Sequence, residues 1–157
     1  MLASAADRQP PPEAASPPTA RFIAIETLVR FHKKPQPLDT LFDKLTARHN
    51  LSGRDRSFAM NIIYGVLRHR DYLDLLLTRL LHQPINKLHP TVRQVLYSGL
   101  YQIFFLDRTP APAAVNESVK VARQNRLPKK LCSLINGVLR QSLRQMGTLP
   151  APDSETA

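Results

Sequence analysis

Residues 92–105, VRQVLYSGLYQIFF, have the most regular helical spacing in this chain. Their apolar side chains recur three and four positions apart, which places them on one face of an α-helix. The members of this face are Val92, Val95, Leu96, Leu100, Ile103 and Phe104. Proline-containing segments stand on both sides, HQPINKLHP before the pattern and DRTPAP after it, and proline interrupts helices. The stretch therefore predicts one buried helix bounded by two connections.

The same spacing continues outward from this helix in both directions. Ser52, followed three residues later by Asp55, resembles a capping box and predicts a helix start. Alternation typical of strands is missing between the turns. The sequence predicts an all-α fold of about six or seven helices. They cover residues 20–32, 38–45, 52–81 with a bend near Asp71, 92–104, 112–125 and 128–144.

The two ends of the chain differ in composition from the part between them. Residues 1–19 contain five prolines, several alanines and no apolar periodicity, which is typical of a disordered or polyproline-like arm. Residues 146–157 are predicted to form a flexible C-terminal tail. The predicted folded domain therefore covers residues 20–145.

Two nearly identical segments, each containing Gly-Val-Leu-Arg, begin at Gly65 and Gly137 inside helical patterns. A glycine in a helix interior costs about 1 kcal/mol relative to alanine. Both glycines therefore predict a close approach of the helix backbone to another helix. Arg68 and Arg140, which end the two segments, would then lie at the edge of the contact and face water or an anion.

The charge of the chain lies in its predicted folded part. The net charge is +10 and the sequence pI is about 10.4. The N-terminal flank contributes −1 and the C-terminal flank −2, so the part between them carries +13. A folded domain this basic favours a polyanionic partner, most simply nucleic acid, although charge also serves solubility.

The location of the protein is predicted from other features of the sequence. The chain has one cysteine, short apolar runs and no secretory signal, so we expect a cytoplasmic protein without membrane contact.

The last helix carries a basic stripe opposite its apolar stripe. At 100° per residue, Lys129, Arg140 and Arg144 cluster away from the apolar side chains. Lys129 and Lys130 also stand in the first turn, where the helix dipole is already positive. A basic first turn with free amide groups is a natural phosphate site, and a solvated face that tolerates two lysines is the alternative.

Other basic and aromatic residues are candidates with competing structural explanations. Arg21 opens the first helix, and Arg68 and Arg70 follow the first glycine segment. Arg123 and Arg126 end the helix over 112–125, where the dipole favours cations. Tyr97 and Tyr101 either stack on bases or, more commonly for such residues, pack between helices.

The sequence argues against catalysis by this chain. Its five glycines are dispersed and form no phosphate-binding loop, and its histidines show no metal-ligand spacing. Cys132 lies on the flank of an apolar stripe, where a lone cysteine behaves as a small hydrophobic residue. We therefore predict no enzyme activity and no cofactor.

Several segments resemble the NusB family, in order and with matching spacing. They are YGVLRHRDYLDLLL, then VRQVLYSGLYQIFFLDRTPAPAAVNESVKVA, which contains GLYQ and the pattern P..AAVNE, and then KKLCSLINGVLRQSLRQ. The resemblance covers nearly all of the predicted folded part. Within the family, YGVLR and LINGVLRQ are more similar to the N-terminal RNA-binding domain of RsmB-type ribosomal RNA cytosine-5 methyltransferases. The antitermination factor branch is the alternative, but the arginine-rich segment that precedes its first helix is reduced here to Arg21.

The resemblance implies a fold of two packed three-helix units that binds RNA through the start of the first helix and nearby basic surfaces. In the methyltransferase branch the RNA that it implies is ribosomal RNA. Arg21 matches the family's opening pattern, and Arg140 matches the variable position after NGVL. In the methyltransferases, the S-adenosylmethionine site and the catalytic cysteines belong to a separate domain. The chain is thus expected to act alone or to deliver RNA to a methyltransferase domain. A protein-interaction module, for which a small-subunit ribosomal protein is the implied partner, is a further alternative.

Overall fold

A computed structural model describes residues 19–152, which form seven α-helices and no strand. The prediction of an all-α fold with six or seven helices is confirmed. A short 3₁₀ turn, Ile85–Lys87, precedes the fifth helix. The helices are α1 (Ala20–Lys33), α2 (Leu38–Thr46), α3 (Gly53–Arg68), α4 (Arg70–Leu80), α5 (Pro90–Phe105), α6 (Ala111–Gln124) and α7 (Lys129–Arg144).

The helices pack as two groups of three. α1 packs against α2 and α3, and α5, α6 and α7 all pack against one another. α1 also contacts α5 and α6, and α4 joins the groups through contacts with α3, α5 and α7. One continuous apolar core runs through both groups. The segment over 92–105 is central to it, because α5 contributes ten buried residues and packs against α1, α3, α4, α6 and α7.

Local sequence signals set the helix boundaries. The Thr19 hydroxyl accepts a hydrogen bond from the Phe22 N–H (3.2 Å), and the Ser52 hydroxyl accepts one from the Asp55 N–H (3.1 Å). Each bond satisfies an amide that the helix itself leaves unpaired. The predicted bend near Asp71 is a break at His69, which ends α3 and precedes α4.

The two glycine segments have opposite surroundings. A methyl group on Gly65 would collide with the ring of Tyr101, so α3 approaches α5 through this glycine as predicted. A methyl group on Gly137 would meet no atom within 4 Å, and Gly137 is exposed. The prediction of a close helix contact at Gly137 is wrong. Helix contact depends on which face of the helix the glycine occupies, and the segment GVLR does not determine that face.

Tyr97 and Tyr101 are both buried and pack between helices. The Tyr97 hydroxyl donates to Asp74, and the Tyr101 hydroxyl donates to Asn61 Oδ1 at 2.5 Å. Burial and the bond to Asp74 raise the pKa of Tyr97 to about 12. The structural alternative for these tyrosines is therefore correct, and neither ring is available to stack on a base.

The ends of the chain are described only in part. The predicted arm lies outside the described residues apart from Thr19. After α7, Leu149 is buried, and the Tyr72 hydroxyl donates to the Pro150 carbonyl (2.7 Å). The start of the predicted tail therefore packs against α4. Within the described part of the chain, no helix combines the length and apolar character of a membrane span.

Candidate nucleic-acid interface

The connection between α6 and α7 contains a backbone conformation that arginine rarely adopts. Arg126 has φ 56°, the one positive φ of a non-glycine residue among residues 19–152. The Arg126 N–H donates to the Arg123 carbonyl (2.9 Å), and the Leu127 N–H donates to the Ala122 carbonyl (3.2 Å). This pair of bonds ends a helix through a left-handed residue, which is usually glycine. With arginine in that place, the turn costs about 1–2 kcal/mol.

An open groove of about 640 Å³ lies between α6 and α7. Its walls come from both helices and from the turn that joins them. The lining residues are Asn116, Val119, Arg123, Leu127, Lys129, Cys132, Ser133, Asn136 and Arg140.

Three of these residues are cations, and none is a carboxylate. Arg123, Lys129 and Arg140 are all exposed. The ion pairs between described residues lie elsewhere and join Arg30 with Glu26, Arg56 with Asp43, and Arg70 with Asp74. Within the described part of the chain, the three groove cations thus have no acidic partner, and their charges can attract an anion.

The remaining lining residues divide into polar and apolar sets. The Arg140 Nε–H donates to Asn136 Oδ1 (3.0 Å), which is one helical turn earlier and orients the guanidinium. Val119 and Leu127 are half-buried, and Cys132 is buried. The Cys132 thiol donates to the Leu127 carbonyl (3.6 Å), so the cysteine packs as a small apolar side chain, as predicted.

α7 begins at Lys129, one residue after the predicted start at Pro128. The Pro128 carbonyl accepts bonds from the N–H groups of Leu131 (2.9 Å) and Cys132 (3.1 Å). The first turn contains Lys129 and Lys130 but no acidic residue to oppose the helix dipole. Lys130 is exposed but does not line the groove.

Arg21 is tied into the fold at the start of α1. Its Nε–H donates to Gln102 Oε1 of α5 (2.8 Å), and its guanidinium carbon lies 5.0 Å from the ring centre of Phe58 on α3. Burial lowers the pKa of the Arg21 guanidinium, and the negative charge of Glu117 acts in the opposite direction. Arg21 does not line the groove.

Arg68 and Arg70 stand apart from the groove, around the break between α3 and α4. Arg68 is exposed and lines a smaller depression of about 250 Å³ formed by α3, His69 and Tyr101 of α5. Arg70 is half-buried, with its guanidinium carbon 5.0 Å from the ring centre of Tyr97 and its Nε 3.9 Å from Asp74 Oδ2. Arg70 thus braces α4 against α5.

The structure brings together Lys129 and Arg140 but not all the predicted residues. The Arg144 side chain donates to Gln141 Oε1 (2.7 Å) on its own helix and lies outside the groove. Sequence reasoning missed Asn116 and gave Arg123 a helix-end role. The available signal was the spacing of Asn116, Val119 and Arg123, which puts all three on one face of α6.

Solved structures with the same arrangement of helices support the fold. A crystal structure of the antitermination factors NusB and NusE in complex with dsRNA matches with a TM-score of 0.72 at 21% identity, over 80% of this chain and 93% of that chain. NusB from T. maritima matches with a TM-score of 0.71 at 17% identity, over 87% of this chain and 93% of the other. At these identities the similarity shows the fold alone.

Curated relatives are more similar in sequence. A protein named "Probable ribosomal RNA small subunit methyltransferase B" from Synechocystis sp. is 38% identical over 126 residues, 80% of this chain. "Ribosomal RNA small subunit methyltransferase B" from Cronobacter sakazakii is 33% identical over 132 residues, 83% of this chain. The chain spans 28% and 30% of the length of these two relatives. The model of the NusB family matches residues 18–144, and the chain belongs to that family.

Proposed function

We propose that residues 20–145 form an RNA-binding domain that recognises ribosomal RNA in the service of a cytosine-5 methyltransferase. The observation that carries this proposal is the groove between α6 and α7, whose three exposed cations have no acidic partner among the described residues. Phosphate contacts dominate affinity for nucleic acid, and cations without an acidic partner provide them; Lys129 also stands at the N-terminus of α7. Such a domain would act in the cytoplasm, with its RNA.

The choice between the two branches of the family rests on sequence similarity. Relatives named as small-subunit ribosomal RNA methyltransferases are 32–38% identical to this chain, whereas the matched NusB structures are 17–21% identical. This difference favours the methyltransferase branch over antitermination. The proposed substrate is therefore small-subunit ribosomal RNA, and the proposed partner is a methyltransferase domain.

The proposed role of these residues is binding and not chemistry. Cys132, the one cysteine of the chain, is buried and packs its thiol against the Leu127 carbonyl. A nucleophilic cysteine needs an accessible thiol, and burial limits access to the thiol of Cys132. Methyl transfer would then depend on groups outside residues 20–145.

The test removes three charges from α7 and measures affinity at three salt concentrations. If the proposal holds, the variant Lys129→Ala/Lys130→Ala/Arg140→Ala binds single-stranded segments of small-subunit ribosomal RNA more weakly. The slope of log affinity against log salt should become less steep by roughly 0.7 for each phosphate contact that is lost, and up to two or three contacts should be lost. All three side chains are exposed, so the melting temperature should change little.

A matched control removes the same number of charges elsewhere. Lys33, Lys34 and Lys44 are exposed, and their triple change to Ala should leave most of the affinity and slope in place. If both triple variants lose affinity equally, binding reflects net charge only. If the α7 variant binds like the native chain, the start of α1 becomes the better candidate. A change of Arg21 to Gln then tests that site, with stability measured because Arg21 bonds to Gln102.

A further inference from the structure

We infer that the groove between α6 and α7 receives one unpaired nucleotide of the bound RNA, with its base inside the groove and its phosphate at the cationic rim. The inference rests on the proposed function and narrows it to a particular RNA form. It assigns the groove a role beyond charge attraction.

The groove has the two kinds of surface that a nucleotide needs. Arg123, Lys129 and Arg140 supply positive charge, whereas Val119, Leu127 and Cys132 supply an apolar floor. An isolated phosphate makes no use of an apolar floor, and an apolar ligand makes no use of three cations. A nucleotide uses both, because its base is a flat, weakly polar ring and its phosphate is an anion.

Polar groups are also placed where a base edge can be read. Asn116 stands on the α6 wall, and Asn136 and Ser133 stand on the α7 wall. Carboxamides carry both donors and acceptors, so they can pair with the edge of an extruded base. The Asn136 oxygen already accepts the Arg140 Nε–H (3.0 Å), which leaves its NH₂ group for a ligand.

The size and form of the groove favour an unpaired base over a duplex. Its volume of about 640 Å³ lies within the range of roughly 300–1,000 Å³ typical of small-molecule sites. In double-stranded RNA the bases are stacked and paired, so a protein reads mainly shape and backbone. Only a base turned out of its strand can reach an apolar floor between two helices.

The junction of α6 and α7 beside the groove departs from local structural preferences. Arg126 occupies a left-handed conformation, and Lys129 and Lys130 stand at the positive end of α7. Both features oppose local stability, and of the three cations only Lys129 also lines the groove. Strained or unfavourable residues gathered at one place are typical of binding sites.

The test fills the groove without changing its charge. Ser133 is exposed and lines the groove, so Ser133→Phe should fold normally and occupy the space for the base. We expect its affinity for a single-stranded RNA to fall roughly tenfold or more, equivalent to about 1.4 kcal/mol, while the salt slope stays unchanged. Its affinity for a fully paired RNA should equal that of the native chain. Ser133→Ala and Thr78→Phe, which places the same ring on the exposed face of α4, should bind both RNAs normally.

Other results would overturn the inference in distinguishable ways. If the native chain binds RNA and Ser133→Phe binds single-stranded RNA equally well, the groove does not hold a base. The proposed RNA-binding function would still stand. An equal loss for single-stranded and paired RNA means that the groove contacts only the backbone. A free nucleoside monophosphate that binds more tightly than the RNA strand would make the groove a mononucleotide site. The absence of RNA binding by the native chain would overturn the proposed function together with this inference.

Discussion

Alanine substitutions at the glycines of the two Gly-Val-Leu-Arg segments form a matched pair. Their effects on the free energy of unfolding should have opposite signs. Gly65 and Gly137 both precede Val-Leu-Arg inside an α-helix, so their local sequences are nearly the same. An added methyl group at Gly65 would strike the ring of Tyr101, whereas at Gly137 it would meet open space. Changing each to alanine therefore separates helix propensity from tertiary packing.

The expected magnitudes follow from the two environments. Gly137→Ala should raise the free energy of unfolding by about 1 kcal/mol, the difference between glycine and alanine in a helix interior. Gly65→Ala has the same gain, but overpacking against Tyr101 costs about 1–3 kcal/mol. If the ring moves, the bond from its hydroxyl to Asn61 (2.5 Å) is weakened, at a further cost of about 0.5–1.5 kcal/mol.

The net expectation for Gly65→Ala is a loss of about 0.5–3.5 kcal/mol, so the two variants should differ by about 1.5–4.5 kcal/mol. For a domain of this size the difference corresponds to roughly 5–18 °C in melting temperature. Urea unfolding followed by far-ultraviolet circular dichroism measures the difference in unfolding free energy. Equal slopes of free energy against urea concentration would show that the two variants expose the same surface on unfolding. A stabilised Gly65→Ala would refute the packing of α3 on Tyr101, and a destabilised Gly137→Ala would refute the open surroundings of Gly137.

Two further predictions concern titration and backbone strain. Burial and neighbouring arginines lower the pKa of His32 and His69, so the unfolded chain binds protons first, and stability should fall as the pH drops below the ordinary histidine pKa of about 6.5. The variant His32→Gln/His69→Gln should show a flatter dependence of unfolding free energy on pH between neutral and mildly acidic conditions, and an unchanged slope would contradict the assignment. Arg126→Gly should raise the free energy of unfolding by about 1 kcal/mol, because glycine adopts the left-handed conformation without strain. Arg126→Ala keeps that strain and serves as the control. If the two variants were equally stable, the backbone at Arg126 would not be strained.

The sequence predicts most of the helices because their signals are local. Apolar spacing, prolines after α1 and α5, and the Ser52 cap act within a few residues, so they can be recognised without knowing the fold. The break at His69 was expected only as a bend near Asp71, since apolar residues continue on both sides. Leu149 was assigned to the tail because one apolar residue has no periodicity to reveal its burial.

The site was less predictable because it depends on how two helices pair. Lys129 and Arg140 are eleven positions apart and were found because they share one face of α7. Arg123 was given a helix-end role, since the dipole explains a cation there equally well. Only the packing of α6 against α7 brings Arg123 into the same groove. The left-handed conformation of Arg126 could not be foreseen, because arginine carries no signal for it.

The contrast between the α6–α7 turn and the capped starts of α1 and α3 distinguishes the proposed surface more sharply than net charge does. Basic residues are spread over all seven helices, so charge alone does not select among Arg21, Arg68 and the α7 residues. At α1 and α3 the boundary residues satisfy the backbone with side-chain caps. Between α6 and α7, in contrast, a strained arginine precedes two lysines at the positive end of a helix. Natural sequences tend to depart from local preferences where a ligand offsets the loss. Lys129 also lines the groove together with Arg123 and Arg140, so an anion bound there would meet cations from both helices, and this is the reason to test the groove before any other basic surface of the domain.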